Sequence, residues 1–360
     1  MRLLFVRDGL HLPDLIGGLE RNTQALCKRL TASGVDTAVL AKLSHTGLAS
    51  FAHRAARKLY KPAIGLADHM AGHATYRIWD FERDMDPVLA AFAPNVVVIQ
   101  QGPFPEIIRP YLARGFTVVC YHHHVLWPSP APQLTTDPAL SHLSCSKFVA
   151  DRLKADFGVP SHIVPPLIEP VAYRTRTSRR EVLFVNPRPE KGADIAWALA
   201  KARPDITFRF AEAWMVTADE HRETTRRAAL LGNVIVEQPR KDMRPLYARA
   251  RLLLAPSQLP EAFGRTVAEA QLSGIPVLCS NNGGLPEAAG PGGIVLPANA
   301  PIPLWTDALA QLWDHSPTYQ RLSDAALQHA ARPDFAPARV ADSFLGHMKN
   351  ALHQARAARA

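Results

Sequence analysis

Two glutamates, Glu261 and Glu269, carry the clearest chemical signal in the chain. Glu261 stands on a turn that follows an apolar run, and Glu269 stands further along the helix pattern that the turn opens. The loop carboxylate can accept hydrogen bonds from the hydroxyls of a sugar, and the helical carboxylate can take both hydroxyls of a ribose. Because the chain has 32 acidic residues, this spacing also arises by chance. The neighbouring residues must therefore show whether the two glutamates belong to a binding site.

The stretch between the two glutamates adds a place for an anion. The first N–H groups of a helix have no partner within it, so the amides at the start of this helix can face a phosphate. The residues concerned are Phe263, Gly264, Arg265 and Thr266. A second glycine turn, residues 281–287, follows the next apolar run and opens another helix.

A loop in the middle of the chain fixes two cations. Arg188 and Lys191 alternate with prolines in residues 186–192, between a strand pattern and a helix pattern. Two held cations beside helix N–H donors suit a diphosphate. The alternative is an ordinary surface loop with charged side chains.

A glycine pair precedes the first helix pattern. Gly17 and Gly18 let the backbone approach a ligand closely, and the helix start that follows favours an anion such as phosphate. A plain turn is the alternative interpretation.

Three consecutive histidines, His122, His123 and His124, follow another apolar run. One imidazole could bind a ligand oxygen or act as an acid or base. Since alternate side chains of an extended segment face opposite ways, at least two of the three are expected to be structural. A metal site would need further ligands, and the sequence shows no cluster at metal-ligand spacing nearby.

The elements that must position these groups are short apolar runs alternating with helix patterns. Runs of four to seven apolar, β-branched residues fit strands buried on both faces, and their alternation with helices predicts βαβ units and parallel sheets. Ligands bind such sheets at the carboxyl ends of the strands, where every motif above stands. The runs are residues 3–6, 37–43, 96–100, 117–121, 181–185, 206–210, 234–237, 252–255, 276–279 and 293–296.

A proline-rich stretch divides the two series of strands. Three prolines in residues 164–170 cannot pair in a sheet interior, so we interpret this stretch as a linker. The prediction is an acceptor-side domain over 1–170, a donor-binding domain over 171–335 and a closing helix over 336–360. Two doubly wound α/β domains are then expected to face each other across a cleft.

Composition limits the class of protein. The 360 residues are 47% hydrophobic with a net charge of +9, and they contain no apolar run long enough for a membrane helix. Four scattered cysteines indicate neither a disulfide framework nor a zinc site. We expect a cytoplasmic protein. A basic amphipathic stretch over 49–70 suggests peripheral contact with an anionic membrane at the inner face, with an ordinary surface segment as the alternative.

These motifs together resemble the donor-site signature of family 4 (group 1) retaining glycosyltransferases. The resemblance covers nearly the whole chain and is most specific from 186 to 287. It rests on Glu261-x7-Glu269 with Phe263, Gly264, Gly274, Pro276 and Val277, on residues 283–287, and on Gly17-Gly18. The resemblance implies a GT-B fold, with two Rossmann-like domains and the last helix returning to the first.

The resemblance also implies roles. Arg188, Lys191 and the amides near Gly264 would neutralise the leaving diphosphate, with no metal and no cofactor beyond the nucleotide sugar. Glu261 would hold the donor sugar, and Glu269 would hold the ribose. His123, with His122 as the alternative, would bind the donor sugar or assist the acceptor. Many relatives carry Gly-Arg, a few residues and then Lys-Gly, whereas this loop reads Asn186-Pro-Arg188-Pro-Glu-Lys191-Gly192. Relatives often have a single His followed by Asp where this chain has three histidines, with His123-His124 as the preferred match.

The expected reaction is transfer of a sugar to an acceptor hydroxyl on a glycan or lipid-linked molecule, with retention at the anomeric carbon. Two other activities stay open: another GT-B enzyme, such as a sugar-nucleotide epimerase or a phosphorylase, and a cationic membrane- or nucleic-acid-binding protein. Nucleic acid is the less expected partner, since the chain lacks a basic-aromatic stacking pattern.

Overall fold

The computed structural model describes residues 1–44, 51, 55, 65–100, 105–127, 134, 136–213 and 216–359. The chain divides into two compact units, one formed by Met1–Leu167 with Pro337–Ala360 and the other by Ile168–Ala336. Most of the basic stretch over 49–70, with all of its arginines and lysines, lies outside the described residues.

The first unit is built on a sheet of eight described strands in the order β3-β4-β2-β1-β5-β6-β7-β8. All neighbours are parallel except β3, which is antiparallel to β4. The strands are β1 (Arg2–Val6), β2 (Asp36–Lys42), β3 (Ala67–Asp68), β4 (Ala74–Ile78), β5 (Val96–Ile99), β6 (Thr117–His122), β7 (Leu140–Ser144) and β8 (His162–Ile163).

Helices cover this sheet, as parallel strands require. Phe344, on the last helix, is fully buried and lies 5.8 Å from the ring of Phe5 and 5.8 Å from that of Tyr121, so this helix packs on the first unit. The helices are α1 (Gly18–Ala32), α2 (Phe81–Phe92), α3 (Pro105–Ala113), α4 (Lys147–Phe157) and, at the end of the chain, α12 (Pro337–Ala357).

The second unit has six parallel strands in the order β11-β10-β9-β12-β13-β14. The strand order runs outward in opposite directions from β9 and from β12. The point between these two strands is the switch point at which doubly wound sheets bind ligands. The strands are β9 (Glu181–Val185), β10 (Thr207–Ala211), β11 (Val234–Glu237), β12 (Ala250–Ala255), β13 (Val277–Ser280) and β14 (Gly293–Leu296).

Five of the described helices of the second unit join consecutive strands as βαβ crossovers, and the last two follow β14. Several of these helices form one core with the sheet, which includes Trp305, Phe208 and Phe210, all fully buried. The helices are α5 (Ala193–Ala202), α6 (Ala218–Leu231), α7 (Arg244–Tyr247), α8 (Arg265–Gln271), α9 (Leu285–Ala289), α10 (Ile302–Trp313) and α11 (Ser316–Ala330). Short 3₁₀ turns lie at Pro170–Ala172, Pro189–Lys191, Gly290–Gly292 and Pro333–Phe335.

The predicted α/β class is confirmed: both sheets are parallel but for one short strand, and each predicted run corresponds to a strand. Four strands at the edges of the first sheet were not predicted. β7 reads LSHLS and β8 has two exposed residues, so neither carries the apolar run of a buried strand.

The proline-rich stretch is tied to the first unit rather than loose. The hydroxyl of Tyr121 donates to the carbonyl of Val164 at 2.7 Å, and the amide of Leu167 donates to Oδ1 of Asn22 at 2.7 Å. Val164 and Leu167 are fully buried. Since the prolines need no amide partner, the chain can pass here as buried, extended backbone.

No helix among the described residues combines the length and the apolar character needed to cross a bilayer.

Buried histidines make the first unit sensitive to acid. Burial lowers the pKa of His142 and of His73 to about 4, that of His11 to about 2, and that of His122 well below 6.5. The folded unit therefore keeps these imidazoles neutral, while the unfolded chain takes up protons near pH 6.5. Stability is full above that pH and falls as the pH drops toward 4.

We expect the first unit to unfold more easily at pH 4.5 than at pH 7, with His142 alone contributing roughly 2–3 kcal/mol. Hydrogen exchange of the amides of β6 and β7 measures this. His142→Asn should flatten the pH dependence, whereas His353→Gln, on an exposed side chain, should leave it unchanged. Equal slopes for both variants would contradict the assignment.

Candidate functional site

The loops that follow β9 and β12 are packed against each other at the carboxyl edge of the second sheet. Gly192 has a φ of +81°, and a Cβ there would collide with the carbonyl of Pro256. The amide of Gln258 donates to the carbonyl of Glu190 at 2.9 Å. Only glycine permits this approach at that φ, and the two predicted motifs thereby become one site.

Lys191 and Glu261 meet at the centre of this contact. Nζ of Lys191 lies 2.5 Å from Oε1 of Glu261, and the hydroxyl of Ser257 donates to the same oxygen at 2.9 Å. The two charged side chains are about a quarter exposed, at 27% and 25%. An ammonium group and a carboxylate thus lie together at one partly solvent-exposed site on the sheet edge.

Arg188 lies on the same loop and faces two carboxylates. Its Nε is 2.8 Å from Oε1 of Glu190, and its Nη2 is 3.9 Å from Oε1 of Glu220 on α6. Its side chain is 27% exposed. A phosphate binding here would exchange these contacts for charge-assisted hydrogen bonds of the same kind.

The loop after β13 joins the same edge through Gly283. This residue forms a parallel bridge with Glu261, and the amide of Gly284 donates to the carbonyl of Glu261 at 2.7 Å. Gly283 has a φ of +70°, and a Cβ there would overlap the backbone of Glu261. The backbone of Glu261 is therefore fixed against the loop after β13.

We expect Gly283→Ala to displace Glu261 and to lower both stability and activity. Gly232→Ala is the matched control, because Gly232 has a φ of +76° with nothing within 4 Å of the added Cβ. Both variants carry the left-handed strain of about 1–2 kcal/mol, and only Gly283→Ala adds the collision. A larger fall in melting temperature for Gly283→Ala checks this, and equal falls would refute it.

Glu269 lies in a buried polar cluster. It is 4% exposed, its Oε1 accepts from Nε of Arg265 at 2.7 Å, and its Oε2 accepts from the hydroxyl of Tyr247 at 2.9 Å. Nη2 of Arg265 donates to the hydroxyl of Tyr173 at 3.0 Å. Burial raises the pKa of Glu269, and the charge of Arg265 opposes the rise. Both carboxylate oxygens thus have protein partners, so the ribose role stays a prediction.

The other predicted residues around α8 are placed differently from one another. Phe263 is buried and stacks on Phe335 with 5.7 Å between ring centroids, so its side chain serves packing. Gly264, at a φ of +95°, approaches Leu285. Thr266 is half-buried in the first turn of α8. The backbone amides at Gly264–Thr266, rather than the ring of Phe263, remain the candidates for a phosphate contact.

In the first unit, the glycine pair begins α1 as predicted, with Gly17 as the N-cap and Gly18 as the first residue. The carboxylate of the buried Glu20 lies against Gly17 and pairs with Nη1 of Arg7. This pair was not predicted. The start of α1 therefore contains the carboxylate of Glu20, whose charge is paired with Arg7, as well as backbone amides.

His122 does not suit the catalytic role that was its alternative assignment. Its side chain is fully buried, and its Nε2 shares a hydrogen bond of 3.0 Å with Nδ1 of His142. The two rings stack at 5.3 Å. Because alternate side chains of an extended segment face opposite sides, His123 is expected to face the side opposite to His122.

His123 is half-buried and lies beside α1. Its Nε2 is 3.4 Å from Nδ2 of Asn22, and its ring centroid is 4.0 Å from that of Tyr121. His123 is thus brought near the helix that the glycine pair opens. His124 is half-buried as well, and burial lowers its pKa. The catalytic role of His123 stays a prediction.

The described residues hold no group of three or more His, Cys, Asp or Glu side chains arranged to bind a metal ion.

Comparison with known proteins adds to this geometry. Residues 179–315, which include every part of the Lys191–Glu261 site, match the family described as Glycosyl transferases group 1. Over these residues, the second unit is similar to the group 1 glycosyltransferases.

One relative that this chain matches is the D-inositol 3-phosphate glycosyltransferase of Corynebacterium diphtheriae. It is 37% identical over 126 residues, which are 34% of this chain and 29% of the relative. The match therefore spans less than a third of that relative's length.

Solved structures resemble the whole chain. A glycosyltransferase from Rickettsia africae superposes with a TM-score of 0.73 at 15% identity, covering 98% of each chain. Anabaena HepE in complex with UDP-glucose superposes with a TM-score of 0.72 at 17% identity, covering 97% of this chain and 100% of that one. These likenesses show the fold, and the predicted GT-B class is confirmed.

Proposed function

We infer that this chain is a retaining glycosyltransferase that moves a sugar from a nucleotide diphosphate sugar to an acceptor hydroxyl. The observation that supports this best is the contact of Lys191 with Glu261, which unites a cation for phosphate and a carboxylate for sugar hydroxyls at one sheet edge. The match of residues 179–315 to the group 1 glycosyltransferases and the likeness to a UDP-glucose complex agree with it.

Departure of the nucleoside diphosphate is the difficult step. Lys191 and Arg188 would stabilise the negative charge that develops on the leaving phosphate, together with the first amides of α8. Glu261 would bind the donor sugar, and Glu269 the ribose. His123 would bind an oxygen of the donor sugar or the acceptor. With protein cations in this role, the reaction would need no divalent metal, and attack on the face from which the leaving group departs would retain the configuration.

The experiment is a donor and acceptor screen. Purified protein is incubated with UDP-glucose, GDP-mannose or ADP-glucose, with and without an acceptor, and free nucleoside diphosphate is measured. D-inositol 3-phosphate is a suitable first acceptor because the Corynebacterium relative carries it in its name. Release of nucleoside diphosphate that depends on the acceptor supports transfer, whereas an epimerase would convert the donor sugar without releasing nucleoside diphosphate and a phosphorylase would require inorganic phosphate. Anomeric proton NMR reports retention, and unchanged rates in EDTA report metal independence.

The acceptor, the cytoplasmic location and the contact with an anionic membrane are parts of the same proposal. The net charge of +9 supports a charged partner surface. Sedimentation with anionic vesicles at two salt concentrations tests membrane contact, and binding that persists on neutral vesicles or fails on anionic ones would refute an electrostatic origin.

A further inference from the structure

Asn186 is the first residue after β9 and has an unusual combination of features. Its φ is +62°, a left-handed conformation that few residues other than glycine adopt. It is 3% exposed. Neither Oδ1 nor Nδ2 of its side chain has a hydrogen-bond partner. A buried carboxamide without partners is destabilising, so its presence calls for a ligand or a fixed water.

Glu212, the first residue after β10, has a similar defect. It is 4% exposed, and its Oε2 is 2.8 Å from Nδ1 of His221 on α6. Its Oε1 is buried and has no partner. One oxygen of this carboxylate is thus fixed by the protein, and the other is left to accept a hydrogen bond.

Asn186 and Glu212, the two residues with unsatisfied buried side-chain atoms, follow neighbouring strands of the sheet. β9 and β10 are parallel neighbours, with Val185 opposite Ala211, so Asn186 and Glu212 both stand one residue beyond that pair. The amide of Asn186 donates to the carbonyl of Ala211 at 2.7 Å. The amide of Arg188 donates to the carbonyl of Asn186 at 2.7 Å, which ties this corner to the cationic loop.

The chemistry of the three unsatisfied atoms defines what they can bind. Nδ2 of Asn186 donates, Oδ1 of Asn186 accepts, and Oε1 of Glu212 accepts. Two acceptors and one donor suit neutral groups that both give and receive hydrogen bonds, such as neighbouring hydroxyls. The carboxylate of Glu212 repels a phosphate, which keeps the phosphate at Arg188 and Lys191.

We propose that Asn186 and Glu212 form a subsite for a neutral, hydroxyl- or N–H-bearing part of the nucleotide sugar, beside the diphosphate site. This inference rests on the proposed function. The bound part is either the transferred sugar or the nucleoside, since both offer this chemistry. In this subsite Asn186 determines specificity through the two unsatisfied atoms of its side chain.

The test compares Asn186→Gly and Glu212→Gln with wild-type protein in calorimetric titrations with UDP and with UDP-glucose. Glycine accepts the same φ, so Asn186→Gly should fold and melt no lower than wild type. We expect each variant to bind UDP-glucose about tenfold more weakly, the loss typical of one hydrogen bond to a buried group. An equal loss for UDP identifies the nucleoside as the bound part, and a loss for UDP-glucose alone identifies the sugar.

The matched control is Ala93→Gly, since Ala93 also has a positive φ, of 48°, and lies exposed at the end of α2 in the other unit. It should leave both affinities unchanged. Unchanged affinities in Asn186→Gly and Glu212→Gln, while the wild-type protein binds UDP-glucose, would overturn the subsite and leave the proposed function standing. A wild-type protein that binds neither these probes nor their guanosine and adenosine counterparts would overturn the proposed function itself.

Discussion

Replacing Lys191 by alanine is expected to lower the rate of sugar transfer by about 10²–10³-fold, the usual effect of removing one preorganised group that stabilises developing charge. Nζ of Lys191 lies 2.5 Å from Glu261 on the neighbouring loop. The cation is therefore held in place before any donor binds. Because the charge on the leaving phosphate grows as the bond breaks, the loss should fall on kcat more than on KM.

Initial rates at saturating donor measure this effect. Lys201→Ala is the control, since Lys201 lies exposed at the far end of α5. Lys191→Arg should recover part of the rate, because it keeps the charge with a different shape. A Lys191→Ala protein that transfers sugar as fast as Lys201→Ala would remove the central element of the proposed mechanism.

Replacing Glu269 by alanine is expected to destabilise the second unit by roughly 3–5 kcal/mol, the cost of leaving a buried charge without its partner. Its carboxylate is bonded to Arg265 and Tyr247, and the side chain of Arg265 is only 11% exposed. Tyr247→Phe removes one neutral donor and should cost about 1 kcal/mol. Urea unfolding followed by tryptophan fluorescence gives both values.

The role of Glu269 in binding ribose can be separated from its role in stability. The double variant Arg265→Met/Glu269→Leu removes both charges, so it should recover most of the stability that Glu269→Ala loses. If the carboxylate binds ribose, this stable variant should still fail to bind UDP. Glu223→Ala breaks an exposed pair with Arg226 and should change neither property. Tight UDP binding by the double variant would refute the ribose role.

Much of the fold could be predicted because buried parallel strands have a strong local signature. The run Glu181–Val185 is read from the sequence with its observed bounds, as are Val234–Glu237 and Gly293–Leu296. β4, β7 and β8 lie toward the edges of the first sheet, where polar side chains are tolerated. Their sequences therefore lack the apolar run that makes a central strand visible.

The partners of the site residues were harder to predict. Ser257 lies four residues from Glu261 in the motif, so its contact is suggested by proximity alone. Tyr247 reaches Glu269 from 22 positions away, and Glu20 meets Arg7 across the first loop. Nothing in the local pattern marks these residues, because their pairing depends on how the elements pack. The burial of His122 beside His142 depends in the same way on β7, which was not predicted.

The sequence by itself determined the α/β class, the position of each candidate motif just after a strand, and the family resemblance, because each of these depends on residue types within a short window. Only the tertiary structure decided which motifs touch. It brings Lys191 to Glu261 across 70 positions, buries Glu269 against Arg265, and leaves the side-chain carboxamide of Asn186 without a partner. The physical reason is that strand order joins segments distant in the chain, and hydrogen bonds between such segments leave no periodic trace in the sequence.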